Sequence, residues 1–248
     1  MLSKLVKKMI FWIQRELKRE NAYLLPLRIF IGTGWIRASL EKATNPGWFD
    51  GTNLSGFLKE HLNSGAVVFP FYRHLLTDVF LPGAAVMGWI VMIGQMLVGL
   101  AILFGVLTNF ALLWGIFMNL NFIMAGEISP SAFYVVIQVV LLVANAGFTL
   151  GIDRYLSTRF PISFLTAQRN DFRRYWKFEK TCFFLAALAS VVVGMFSLPY
   201  IHDFGPKSVS DPAMLMLILS IVTGMTAYIT GSRIQSVRLY TARLRPHA

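Results

Sequence analysis

The sequence is short of charge, short of acids in particular, and almost without cysteine. Charged residues make up 14% of the 248 positions, and only 12 are acidic. A soluble domain of this size carries about 25%. With 56% hydrophobic residues and a mean hydropathy of +0.59, the deficit points to an integral membrane protein. The single cysteine, Cys182, excludes an intramolecular disulfide, a CxxC redox pair and a thiolate metal cluster. It reads as a small buried apolar residue within a hydrophobic run. Walker and dinucleotide-binding patterns are missing, and so is the strand context that they need.

What charge there is leans one way, to a net +11. Such a balance can indicate nucleic acid, but its placement argues otherwise. The basic residues gather in blocks flanking apolar runs, and no nucleic-acid motif accompanies them. That is the pattern of membrane topology and anionic headgroups, with the lipid bilayer as partner. Residues 1–20 do not read as a cleaved signal, because Lys7, Lys8 and Arg15 break the apolar stretch. Leu2, Leu5, Met9, Trp12, Ile13 and Leu17 recur at helical spacing opposite a basic face. An interfacial amphipathic helix fits this pattern, and a plain basic flank is the simpler reading.

Hydropathy predicts six spans, over 22–40, 84–107, 110–125, 132–150, 181–198 and 212–231. The N-terminal segment, the loop 153–180 and the tail after 231 would together hold 17 of the 23 Lys and Arg, which places both termini in the cytoplasm of a multi-pass inner-membrane protein. The segment 43–82 is then the one long extracytoplasmic region. It is expected to form short helices lying at the membrane face.

From Arg28 to Leu156 a series of residues recurs in a characteristic order. It begins with Leu27 and Arg28, Gly34 and Trp35, Ala38 to Lys42, and Trp48. It continues through Phe71 and Tyr72, Pro82, Gly94 to Thr108, Met118 to Asn121, Ala125 and Gly126, and Gly151 to Leu156. In these features the chain resembles the DoxX/DoxD family of small bacterial membrane proteins. The resemblance implies an all-α fold with a four-helix transmembrane bundle, here over 21–156, extended by two further helices over 181–231. A basic loop over 157–180 and a basic tail over 232–248 complete the organisation. One branch of the family is the small subunit of a thiosulfate:quinone oxidoreductase. The resemblance therefore implies a membrane redox component, with quinone as cofactor and a second redox subunit or further copies of itself as partners. The chain departs from the pattern at Gln95, where an acid is usual, and at Asn109, where a base is usual.

The candidate ligand residues follow from charge at membrane depth. Arg37 and Glu41 are four residues apart on one helix face. They pair with each other, or leave the guanidinium fork free for a small anion or a quinone carbonyl. Lys42 stands beside them near the interface, and Trp48, Tyr72 and Arg73 are expected to roof the same cavity. Gln95 and Asn121 are polar at membrane depth, where hydrogen bonding between helices is the default and ligand contact the alternative. Asn119 and Asn121 cannot share a face, being about 200° apart. Arg28 is expected to snorkel toward headgroups, and Asp153 to pair with Arg154 at a helix exit. His74 and Asp78 share a face if helical, but two ligands make a poor metal site. A non-enzymatic scaffold, or a binding and transport protein, is the competing reading.

Overall fold

A computed structural model of the chain describes residues 2–17, 21–160, 162–168 and 177–201, with 212–214, 216–221, 223–224, 227–228 and 231 in the C-terminal part. Among these residues the fold is all-helical and contains no strand. The helices are α1 (Leu2–Leu17), α2 (Leu25–Ala43), α3 (Thr52–Ser64), α4 (Pro70–Leu75), α5 (Ala84–Phe104), α6 (Thr108–Met124), α7 (Ser131–Val143), α8 (Asp153–Arg159) and α9 (Lys177–Ser197). Two helical stretches, Ala84–Phe104 and Thr181–Tyr200, are long and apolar enough to cross a membrane. The described residues of the predicted sixth span are helical, and the predicted basic tail lies outside the described residues.

Local chemistry sets the boundaries. Pro26 and Pro70 sit in the first turns of α2 and α4, where a missing N–H costs nothing. Asn45 turns back to accept from the Gly47 N–H at 3.2 Å, ending α2 with a side-chain turn. α7 is shorter than the predicted span over 132–150. Asn145 adopts a left-handed conformation (φ 50°) two residues after its end, and a 3-10 turn over Ala146–Phe148 follows. The loop 43–82 carries α3 and α4, with α4 continuing as a wide turn over Leu76–Phe80. The short helices expected there are present.

The chain divides into two compact units. The first comprises Met1–Thr44, Ile90–Gly115 and Ile137–Asn170, the second Asn45–Trp89, Ile116–Val136 and Asp171–Ala248. Within the first, α2 crosses α5 at a pair of glycines. A Cβ on Gly32 would stand 3.1 Å from the Gly99 carbonyl oxygen, and one on Gly99 would stand 2.8 Å from that of Gly32. Ser39 donates to the Met92 carbonyl at 2.8 Å across the same pair. Close approach through small residues is how helices pack when neither has a hydrophobic reason to leave its surroundings. Gly105, Gly147 and Gly151 make a second crossing, where a Cβ on Gly105 would meet the Gly151 Cα at 2.6 Å.

Within the second unit, Phe69 of the loop stacks near Phe196 and Tyr200 at ring separations of 6.2 and 5.2 Å. α9 meets the residues after 212 through small side chains. Ser190 Oγ lies 3.3 Å from Thr223 Oγ1, and a Cβ on Gly194 would reach Ser220 Oγ at 2.7 Å. The opposite side of α9, with Leu185, Leu188, Val191, Val192 and Met195, is exposed. In the first unit, Ile90, Ile93, Leu97 and Phe104 of α5 are likewise exposed while Gln95 is buried. Cys182 is exposed near the start of α9, not buried as expected.

Gly151 has no room for a side chain, since a Cβ would collide with the Gly147 carbonyl oxygen. Gly151→Ala is expected to lower stability by about 1–3 kcal/mol, the usual cost of overpacking, as a depressed midpoint in a thermal scan.

Candidate functional site

α2 carries four charges that the structure treats in three ways. Arg28 does not snorkel. It is 2% exposed, and its guanidinium donates from Nη1 to the carbonyls of Ala146 (2.7 Å) and Thr149 (2.6 Å). Its Nη2 donates to Leu150 at 3.2 Å. The geometry explains this. α7 ends in a left-handed residue and a tight turn, leaving carbonyls that no later helical N–H can reach. The cation supplies the missing donors to the segment between α7 and α8.

Asp153 does the converse, and does not form the expected pair. Its Oδ1 accepts from the Leu107 N–H at 2.6 Å, and its Oδ2 from the N–H groups of Thr108 (2.8 Å) and Ala167 (2.9 Å). Two of these donors belong to the start of α6, so the carboxylate caps that helix from a distance. Burial pushes the Asp153 carboxyl above the usual carboxylate range, and the hydrogen bonds to it pull the other way. Beside it, Asn109 Nδ2 donates to Asn145 Oδ1 (3.2 Å) and to the Ser163 carbonyl (2.6 Å). Arg28 Nε, Thr108 Oγ1 and Asn109 Oδ1 are buried here without partners. Arg28 and Asp153 are thus fold-determining, and a sequence reading that looked only at neighbouring residues missed both roles.

Arg37 and Glu41 behave differently again. Both are exposed, and among the described residues no ion pair joins them despite their spacing. They line a groove of about 440 Å³ along α2, together with Thr33, Ile36, Leu40 and Thr44. Thr33 Oγ1 is occupied by the Ile29 carbonyl at 2.8 Å. The groove therefore presents a guanidinium, a carboxylate and an aliphatic floor. Lys42 is half-buried, its Nζ lying 3.4 Å from the Ala38 carbonyl.

Gln95 belongs to the same unit as these residues. It is 3% exposed, and its Oε1 has no partner, so the expected bond between helices is absent at that atom. The remaining candidates lie in the second unit. Tyr72 is buried and donates from its hydroxyl to Asn121, at 3.0 Å to the carbonyl and 3.1 Å to Oδ1. Asn121 in turn donates to the Phe117 carbonyl at 2.8 Å. Arg73 ties its own loop, bonding the carbonyls of Leu62 (3.0 Å) and Val67 (3.3 Å). Trp48 presses its carbonyl against Gly88, where a Cβ would stand 2.6 Å away. Asn119 is buried and Asn121 half-buried, as their angular separation requires. His61 approaches Glu127 at 4.0 Å, and among the described residues no three His, Cys, Asp or Glu side chains converge as metal ligands.

Comparison with models of known families, with curated proteins and with solved structures finds no match to this chain. The groove on α2 and the buried polar cluster around Arg28 and Asp153 therefore rest on their own chemistry.

Replacing Arg28 by Met leaves three buried carbonyls without donors. At about 1–3 kcal/mol for each, Arg28→Met should cost about 3 kcal/mol or more, measured by chemical unfolding in detergent. Tyr72 gives a prediction in pH. Burial raises its phenol above the ordinary value of 10, so the unfolded chain ionises first. Its stabilising contribution is full below about pH 10 and falls as pH rises further. Tyr72→Phe should flatten that alkaline decline and cost about 1 kcal/mol at neutral pH.

Proposed function

We propose that the chain is an integral membrane protein that binds a quinone or a small anion in the α2 groove, as a component of membrane electron transfer. The observation that carries the binding claim is the pair of outward charges, Arg37 and Glu41, which face the groove and do not bond each other. A guanidinium offers paired N–H donors to a carbonyl or oxyanion. The aliphatic side chains of Ile36 and Leu40 suit an apolar ring or tail. The membrane setting is supported by exposed apolar positions along α5 and α9 combined with inward Gln95, Asn109 and Gln138. In water that distribution would expose large apolar faces. Six spans with cytoplasmic termini follow from the distribution of Lys and Arg, and the redox assignment rests on the resemblance to DoxX/DoxD proteins. With one cysteine, the chain cannot form a thiol pair of its own. Electron transfer from thiosulfate would need a bound quinone and a partner subunit.

Tyr72 and Arg73 favour a second reading for their part of the chain. Their polar groups are engaged by Asn121, Leu62 and Val67, as in a scaffold. Extraction of quinone from protein purified in native lipid, followed by quinone titration, separates the two readings. Arg37→Met is expected to weaken quinone binding about tenfold or more, the loss of a charged hydrogen bond, with an unchanged melting temperature. Unchanged binding with a lower melting temperature supports the scaffold instead. Absence of thiosulfate-dependent quinone reduction, with or without a partner subunit, rules out the enzymatic version.

A further inference from the structure

We infer that α1 docks onto the anionic headgroup surface of a membrane leaflet. Val6, Met9 and Ile10 are 43%, 55% and 47% exposed, although all three are apolar. At about 100° per residue, Ile10 lies roughly 40° to one side of Val6 and Met9 roughly 60° to the other. They form one strip along the helix, while Phe11, 68% exposed, lies off it, about 140° from Val6 and between Lys7 and Lys8. Lys7 and Lys8 are exposed on the flank and the far side of that strip. The segment 1–20 holds six basic residues against Glu16 and Glu20.

This combination selects its partner. A leaflet containing anionic lipid offers an apolar layer below a plane of negative charge, which matches an apolar strip flanked by lysines. α1 has 16 residues and would extend about 24 Å if straight, with Lys7 and Lys8 near its middle. It is too short and too charged to cross the hydrocarbon, and so it lies along the surface. Its connection to the rest of the chain is short. Asn21, four residues beyond α1, donates from Nδ2 to the Ala144 carbonyl at 2.6 Å. The inference rests on the membrane reading above, but concerns a surface separate from the α2 groove.

The test uses the full chain, with Cys182→Ser removing the native thiol and Met9→Cys carrying an environment-sensitive fluorophore. It is reconstituted in nanodiscs of phosphatidylcholine, with or without phosphatidylserine. In the anionic discs, position 9 should show blue-shifted emission and quenching by nitroxide-labelled phospholipid. Lys7→Gln and Lys8→Gln should each lower the ratio of inserted to free helix about fivefold, and high salt should mimic them. Equal insertion in both compositions overturns the inference. So does quenching by aqueous iodide in anionic discs, or shielding from both quenchers, which would mean a protein partner. A chain that does not stay with the discs overturns the membrane reading as well. A chain that stays, with position 9 in water, overturns only the role of α1.

Discussion

The constraint on which the first unit depends is that buried helix ends must find partners. Arg28 and Asp153 satisfy it as a complementary pair that do not bond each other. The cation gathers the carbonyls left beyond α7, and the anion gathers the N–H groups that open α6. The carboxylate lies where the α6 dipole favours it, and each charge replaces water that a buried chain end cannot reach. The three close glycines, Gly105, Gly147 and Gly151, belong to the same arrangement. They bring the α5–α6 link and the segment after α7 close enough for two side chains to serve both.

α2 therefore has two faces with separate tasks. Arg28, Ile31, Gly32, Trp35 and Ser39 are inward and fix packing. Thr33, Arg37, Leu40 and Glu41 are outward and take no part in it. This separation is what allows the outward charges to differ from the inward one in role. A charge that holds the fold cannot be released to a ligand. One that faces a groove without bonding its neighbour can change partners at little structural cost.

Much of the helical outline was legible in the sequence, because runs of apolar residues bounded by Pro, Gly and Asn encode helices locally. α5, α6 and α9 fall within a few residues of their expected limits, and α3 and α4 occupy the loop as anticipated. α7 stops early, since the left-handed turn at Asn145 depends on contacts made elsewhere. Among side chains, spacing misled in two directions. Arg37 and Glu41 have ideal separation for a pair, yet no ion pair joins them among the described residues. Arg28 looked peripheral by position, because its partners lie 118 to 122 residues further on. No local pattern records such a contact. Asp153 was expected to pair with its neighbour Arg154, but the N–H groups it accepts from lie 14 to 46 residues away. Tyr72 was expected to roof the cavity and Asn121 was singled out as polar at membrane depth; the structure bonds the two to each other.

The separation between Arg28 and its carbonyls also sets an order of events during synthesis. A ribosome adding roughly 5–20 residues per second needs about 6 to 24 s to make the intervening chain. Throughout that time α2 exists with a guanidinium whose acceptors have not been made. Until the segment after α7 emerges, other acceptors must meet that charge. A truncation before Ala146 would leave that arginine without these acceptors, which makes synthesis through Leu150 a checkpoint on assembly of the first unit.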